Sequence, residues 1–213
     1  GIAAFRTPEA CADGVRALVD WRTPALQPDP GPLSDAARLL ARADSDSLSE
    51  RDAAAVFAAI GVPMAPTAVL SDPSAELDTD MTFPVAAKVL SADLPHKTEA
   101  GAVALTISDR AALQGHAQII WDAARAHAPD ARLDGILVQP MVSGLAEVLV
   151  GYRRDPETGP VVVLGIGGVL AEIYGDATVR PAPVDTATAR EMINEVRGLA
   201  PIRGYRNMPK GDL

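Results

Sequence analysis

The stretch FPVAAKVLSADLPHKTEAGAVALTI, residues 83–107, contains two apolar segments on either side of a polar loop. Phe83 to Leu90 is apolar except for Lys88, and Val103 to Ile107 is apolar and equally short, so each segment predicts a strand. The loop between them is bounded by Pro95 and Gly101 and is too polar to continue either strand. We therefore expect neighbouring strands joined by a loop that lies outside the core.

Helix and strand signals extend outward from this stretch. Residues 48–61, LSERDAAAVFAAIG, have Ser49 as an N-cap and Gly61 just past the end, which indicates an amphipathic helix. Residues 109–128 place apolar side chains on one helical face, with Asp109 as the cap. Strand candidates follow at 135–138, 147–153, 160–165 and 178–183, and a helix at about 186–197. The pattern predicts helices packed on sheets with many antiparallel neighbours.

Composition excludes several classes of function. The chain has 213 residues, 48% of them hydrophobic, which is enough to bury a core in one or two compact units. A net charge of -9 without a basic stripe argues against a nucleic-acid partner. The single cysteine, Cys11, fits a reducing cytoplasm, and the longest apolar run, 161–171, is too short to cross a membrane. We expect a cytoplasmic protein that binds neither nucleic acid nor membrane.

The chain divides at a proline-rich segment. RTPALQPDPGP, residues 22–32, has no apolar period and is typical of a linker, which we extend to 22–47. It separates a short helical piece in 1–21 from a domain at 48–213. The start, Gly1-Ile2-Ala3, carries no methionine or export signal, so we expect a fragment of a longer protein.

Charged residues in two of the predicted strands could carry chemistry. Lys88 is the lone charge in an apolar strand, where an unpaired ammonium would be costly, so an anion should meet it. A snorkelling lysine or a pair with a structural carboxylate remains open. Strand alternation puts Glu147 and Arg153 at the two ends of one face, a pattern that ordinary solvated strands share.

The segment VVVLGIGGVLAE, 161–172, joins a strand to Gly165, Gly167 and Gly168. Missing side chains would let backbone N–H groups approach phosphate oxygens, although a tight sheet corner explains the glycines equally well. The spacing matches neither a dinucleotide fingerprint nor a Walker loop, and no clear helix follows directly.

Charged residues surround a turn downstream of these glycines. Glu172 and Asp176 could supply oxygen ligands to Mg²⁺, and Arg180 could bind phosphate. A charged surface hairpin is the alternative.

His96 stands in the polar loop beside Lys97 and Glu99. An imidazole between a cation and a carboxylate could accept and pass on a phosphoryl group, with Glu99 holding the opposite ring nitrogen. Such a carrier would need a mobile loop. A merely solvated loop histidine is the alternative.

These segments together resemble the ATP-grasp domain of NDP-forming acyl-CoA synthetases, of which the ADP-forming acetyl-CoA synthetases are the best known. The resemblance runs from about Leu48 to the last residue and includes H-K-T-E at 96–99 and R-D-P-E-T-G-P-V at 154–161. Residues 1–21 look like the tail of a preceding CoA-ligase-type domain.

The resemblance implies an α+β fold in which two lobes of mostly antiparallel sheet with packed helices grip ATP. It implies the reaction of acid, CoA and ATP to acyl-CoA, ADP and phosphate, with Mg²⁺ as cofactor. CoA-binding and ligase domains, in the same chain or a partner subunit, would be its partners in an oligomeric enzyme. The alternatives are a regulatory synthetase-like domain of a protein lysine acetyltransferase, which binds ligand without turnover, and a structural remnant.

The resemblance also implies roles for individual residues. Lys88 would lie near the nucleotide phosphates, and His96 would carry phosphate between remote sites. The remaining implied positions are Gln139 and Met141 at the adenine hinge, Glu147 near the nucleotide, Gly165, Gly167 and Gly168 at the phosphates, and Glu172 and Asp176 at the metal.

The sequence departs from the family pattern in two places. Ala100 and Ala102 flank Gly101 where the family usually has V-G-G, so the loop has one glycine fewer. The family also continues beyond the match to Pro209–Leu213 into an acidic D-x-N segment that binds magnesium, so we expect a domain truncated at its C-terminal part.

Overall fold

A computed structural model describes residues 4–20, 34–42, 47–168, 171–204, 206 and 208–211, except for the side chain of Glu172. The chain divides into two units, residues 1–31 and residues 32–213. Within the described residues, none of the helices combines the length and the apolar character that crossing a membrane requires.

The first unit contains helix α1, Pro8–Val19. The Thr7 hydroxyl caps it by accepting a hydrogen bond from the Ala10 N–H at 3.2 Å. This is the short helical piece expected before the linker. The proposed linker residues 22–33 and 43–46 lie outside the described residues.

The second unit begins with two short helices that pack against each other, α2, Asp35–Leu40, and α3, Glu50–Ala59. The Ser49 hydroxyl caps α3: it accepts a hydrogen bond from the Asp52 N–H at 3.2 Å and donates one to the Asp52 carboxylate at 2.7 Å. Helix α2 lies inside the segment 22–47 that we predict as a linker. Its 6 residues are too few for a helical period to show in the sequence.

An antiparallel sheet of 4 strands follows, with the order β1-β4-β2-β3. The strands are β1, Ala68–Leu70; β2, Val85–Leu90; β3, Val103–Ile107; and β4, Gly135–Pro140. Strand β2 pairs with β3 on one side and with β4 on the other, which places Lys88 between Val103 and Leu137. The two strands expected from residues 83–107 are therefore hydrogen-bonded neighbours.

One face of this sheet is covered by α4, Arg110–His127. Val85 and Ala87 of β2 lie in the core cluster with Ile120 of the helix. Since side chains alternate along a strand, Lys88 projects from the opposite face. The core cluster under α4 therefore lies on one side of the sheet, and Lys88 lies on the other, where Leu90 and Leu137 are also buried.

The second sheet has 3 antiparallel strands in the order β5-β6-β7. These are β5, Val148–Asp155; β6, Gly159–Ile166; and β7, Ala177–Pro181. Leu164 of β6 shares a core cluster with Met192 of α6, Thr186–Glu195, and Leu199 of the 3₁₀ helix Arg197–Arg203. Two antiparallel sheets with packed helices confirm the expected architecture.

The structure corrects the sequence-based expectation after the glycines. A helix of 4 residues, α5, Ala171–Tyr174, follows the glycine segment, where we expected no clear helix. A single turn is too short to produce a periodic signal. Strand β7 also ends at Pro181, two residues before the expected end.

The turn between β5 and β6 is organised by Asp155. Its carboxylate accepts hydrogen bonds from the backbone N–H groups of Glu157 and Thr158 at 3.0 Å and from the Arg153 guanidinium at 2.8 Å. These bonds, that from the Thr158 N–H foremost, hold the pKa of Asp155 far below its usual range. The ionised carboxylate therefore stabilises the hairpin.

We expect Asp155→Asn to lower Tm by a few degrees at pH 7. The pKa is lower in the folded chain than in the unfolded chain, where it is about 3.9, so the stabilisation is fully present above that value and is lost as pH falls through the folded-state pKa. Thermal unfolding between pH 7 and pH 2 should show the deficit of the variant shrinking as pH falls below the unfolded-state pKa. Glu157→Gln in the same turn is the control, and an Asp155→Asn deficit that is as large at pH 2 as at pH 7 would contradict the assignment.

Candidate functional site

Lys88 makes an ion pair on the face of β2 that α4 leaves open. Its side chain is 26% exposed, and its Nζ lies 3.1 Å from Oε2 of Glu50. Glu50 is the first residue of α3, where the helix N-terminus favours a negative charge. Of the partners that the sequence left open for this lysine, the structure shows a carboxylate.

Segment 91–102 is anchored by apolar side chains, while the His96 side chain points outward. Leu94, Ala100 and Ala102 are buried in one cluster, and the His96 carbonyl accepts a hydrogen bond from the Ala100 N–H at 3.3 Å. The His96 side chain itself is 77% exposed. The histidine thus lies outside the core as expected, and the mobility of the segment stays a prediction.

Ala102 stands at the position where the family pattern usually has a second glycine. It is fully buried against Val89 and Ala124. Its N–H donates a hydrogen bond to the Lys97 carbonyl at 2.9 Å, which closes the turn after His96. The methyl group therefore adds to the packing under the segment without reaching the exposed imidazole.

A cavity of about 450 Å³ has both Lys88 and His96 in its wall. Its charged lining also includes Lys97, Glu50 and Glu99, and apolar residues of β2 and β3 form the floor. The volume is within the usual range for small-ligand sites. An anion bound here would meet cationic side chains next to an imidazole that can act as a nucleophile.

Glu50 connects the cations of this cavity. The Lys97 Nζ lies 3.8 Å from Oε1 of Glu50, and the Lys97 side chain is only 11% exposed. No local signal in the sequence singles out Glu50, since it is an ordinary acidic residue in the first turn of α3. Only tertiary structure brings it to β2 and to the His96 segment.

The expected hydrogen bond between His96 and Glu99 is absent from this structure. The His96 Nδ1 and the Glu99 Oε1 are 3.9 Å apart, beyond hydrogen-bonding distance, and both side chains are exposed. The Glu99 carboxylate therefore lies near the imidazole but does not hold it in one tautomer.

The residues expected at adenine lie where β4 ends. Gln139 is opposite Ala86 in the strand register, on the same face of the sheet as Lys88. Met141 begins the segment 141–147, which connects the 4-stranded sheet to the 3-stranded sheet. A position between the two sheets is the one expected for a hinge. The contact of Gln139 and Met141 with adenine stays a prediction.

Glu147 lies against the glycine segment. Its carbonyl accepts a hydrogen bond from the Gly167 N–H at 2.7 Å. Gly168 has φ of 82°, and a Cβ there would come within 2.7 Å of the Glu147 carboxylate. Gly165 lies within β6, paired on both sides. The Gly167 N–H thus already has a backbone partner, and the phosphate contacts of Gly167 and Gly168 stay a prediction.

Asp176 and Arg180 already have protein partners. The Asp176 carboxylate accepts hydrogen bonds from the N–H groups of Arg197, at 3.2 Å, and Gly198, at 2.6 Å. Arg180 donates to the Glu195 carboxylate and, at 2.8 Å, to the Thr178 hydroxyl. Hydrogen bonds from Thr178 and then Arg180 lower the pKa of Glu195.

Of the two expected metal ligands, the structure describes the side chain of Asp176 alone. Glu172 lies in α5, but its side chain is outside the description. In the part of the chain that the structure describes, no group of 3 or more acidic, histidine or cysteine residues could hold a metal. Mg²⁺ usually takes one or two carboxylates and completes its shell with phosphate oxygens and water. Asp176 retains lone pairs for such a role beside its two N–H bonds.

The predicted site residues therefore form two groups. Lys88 and His96 share the cavity on the 4-stranded sheet. Glu147, Gly167 and Gly168 meet beside the 3-stranded sheet. We predict that Lys88, Glu147 and the glycine segment 165–168 line one cleft between the two lobes.

Comparison with known proteins places these features in a family. A family model described as the ATP-grasp domain matches residues 39–213. An ADP-forming acetate–CoA ligase I of Archaeoglobus fulgidus is 34% identical over 160 residues, which are 74% of this chain and 23% of the ligase. Subunit beta of ADP-forming acetate–CoA ligase II from Pyrococcus furiosus is 31% identical over 169 residues, 78% of this chain and 72% of the subunit.

Solved structures share the fold. A crystal structure of a Pyrococcus horikoshii protein has a TM-score of 0.74 and 29% identity, covering 81% of this chain and 75% of that chain. The dinucleotide-forming acetyl-coenzyme A synthetase 1 of Ca. Korarchaeum cryptofilum, with coenzyme A and Mg-AMPPCP, has a TM-score of 0.65 and 26% identity, covering 84% and 78%. Its phosphohistidine segment points towards the nucleotide binding site.

Proposed function

Because this chain belongs to the ATP-grasp domain family, we propose that it is the ATP-binding, phosphoryl-transfer domain of an ADP-forming acyl-CoA synthetase. The observation that carries this proposal is the cavity in which Lys88 and an exposed His96 meet. The similarity to the Pyrococcus furiosus beta subunit supports the reaction class, in which an acid, CoA and ATP give acyl-CoA, ADP and phosphate.

In the proposed transfer, an unprotonated ring nitrogen of His96 forms a bond to the γ-phosphorus of ATP. The bond from that phosphorus to the bridging oxygen breaks, and ADP leaves with the electron pair. Lys88 and Lys97 offset the charge on the transferred group, which is the main contribution a protein makes to phosphoryl transfer. The phosphoryl group then leaves with His96 for the site of acyl activation.

Other residues would hold the nucleotide. Gln139 and Met141 would contact adenine at the connection between the sheets, and Glu147 and Gly168 would lie near the phosphates. Arg180 could bind phosphate after exchanging its bond to Glu195. Mg²⁺ held by Glu172 and Asp176 would neutralise phosphate charge when bound.

The acyl and CoA sites would belong to CoA-binding and ligase domains, in the same chain or a partner subunit of an oligomeric, cytoplasmic enzyme. The acid substrate would be selected there. No observation favours the regulatory acetyltransferase alternative, since a ligand sensor has no need of an exposed histidine beside two lysines. Acyl-CoA formation by the full-length protein decides between these functions.

We expect Lys88→Met to weaken ATP and ADP binding about tenfold, because a charge-assisted contact to phosphate is lost. Methionine preserves the length and packing of the side chain on β2. Isothermal titration calorimetry with Mg-ADP measures the change, and Lys210→Met, which removes an equal charge elsewhere, is the control. Equal affinities of both variants and wild type would place the nucleotide phosphates away from Lys88.

A further inference from the structure

Glu50 uses each of its carboxylate oxygens for a different lysine. Oε2 lies 3.1 Å from Lys88 on β2, and Oε1 lies 3.8 Å from Lys97, the residue after His96. The carboxylate is thus a bridge from α3 to the sheet and to the histidine segment. All of these side chains line the same cavity.

The contact between Glu50 and Lys88 is an ion pair without an aligned hydrogen bond. Oε2 is buried, yet in the described part of the chain it has no aligned hydrogen-bond donor, so Lys88 is held by charge alone. Lys88 thus lacks a directional hydrogen bond to Glu50, so a phosphate oxygen that accepts a well-aligned, charge-assisted bond can compete for its ammonium group.

The ion pair between Glu50 and Lys97 helps to position the His96 segment. Lys97 is nearly buried and adjoins His96, whose side chain is 77% exposed. The ion pair with Glu50 is therefore a direct restraint on where the histidine segment sits relative to β2.

We propose that Glu50 is a positioning residue: it pairs with Lys88 until a nucleotide phosphate replaces it, and it holds Lys97, and so the His96 segment, at the phosphate site. This inference rests on the proposed function. Removing the charge of Glu50 should therefore change nucleotide affinity and transfer rate in opposite directions. The carboxylate competes with nucleotide phosphate for Lys88, and it assists transfer through Lys97.

Glu50→Gln keeps the shape of the side chain and removes its charge. We expect the full-length protein with this change to bind Mg-ADP about 2- to 5-fold more tightly, since a partly exposed ion pair no longer competes for Lys88. We also expect about tenfold slower labelling of His96 from γ-labelled ATP in a single turnover, since the histidine is less well oriented. Calorimetry and rapid quench measure the two effects.

Matched variants separate positioning from stability. Asp52→Asn removes a carboxylate from the same helical turn but from neither lysine, and should show neither effect. Glu50→Asp retains the charge and should recover part of the rate. In a Lys97→Gln background, Glu50→Gln should no longer slow labelling, because its partner is already gone.

Unchanged ADP affinity and labelling rate in Glu50→Gln would overturn the proposal. So would weaker binding and slower labelling together with a lower Tm, which is the signature of a structural role only. Failure of the wild type to bind Mg-ADP or to become labelled would instead overturn the proposed function.

Discussion

His96→Asn in the full-length protein is expected to lose the acid-labile, base-stable label that γ-labelled ATP leaves on the wild type, along with acyl-CoA synthesis. Asparagine has a similar size and polarity, but its amide nitrogen is not nucleophilic. Loss of the attacking atom should reduce transfer by at least about a thousandfold. The chain's other histidines, His116 and His127, lie on α4 and do not line the cavity, so neither replaces it.

The control for this experiment is binding. Mg-ADP affinity should change little in His96→Asn, because Lys88 and the nucleotide contacts remain, and His127→Asn should keep the full label. If His96→Asn retains both the label and acyl-CoA synthesis, the carrier role is wrong and His96 is only an exposed loop residue.

Gly135→Ala is expected to destabilise the second unit by about 3 kcal/mol, through steric overlap and an unfavourable backbone conformation together. Gly135 begins β4 with φ of 135°, which side chains rarely tolerate, and a Cβ there would lie 2.5 Å from the Leu70 carbonyl oxygen and 2.9 Å from Cγ1 of Val69. Neither neighbour can move freely, because β1 is paired with β4 along its whole length.

Urea unfolding measures this change. Gly115→Ala is the matched control: Gly115 lies within α4, and a Cβ there meets no atom within 4 Å. Alanine favours a helix over glycine, so the control should be about 0.5–1 kcal/mol more stable than wild type. Wild-type stability in Gly135→Ala would show that β1 and β4 are not packed as described.

Several features of this protein could be predicted from the sequence because their causes are local. The cap at Ser49, the apolar face of α4 and the paired strands around the polar loop depend on residues close together in the chain. The short helices α2 and α5 could not, since neither is long enough to show a period.

The candidate site divides in the same way. Lys88 attracts attention because a charge in an apolar strand needs a partner, and His96 because it stands in a polar loop that interrupts the strands. The roles expected for Gln139 and Glu147 come from the resemblance, whereas Asp176 already stands out as a carboxylate beside a turn. The structure adds that the Asp176 carboxylate accepts hydrogen bonds from the first two N–H groups of the 3₁₀ helix.

The sequence by itself thus determined the strands, the main helices and the chemically distinctive side chains, because propensity, periodicity and capping act over a few residues. Tertiary structure alone decided that β4 lies between β1 and β2, that Lys88 and His96 share a cavity, and that Glu50 pairs with Lys88 and Lys97. Strand pairing and charge pairing join residues distant in the chain, and their free energy depends on spatial separation and burial, which no local pattern records.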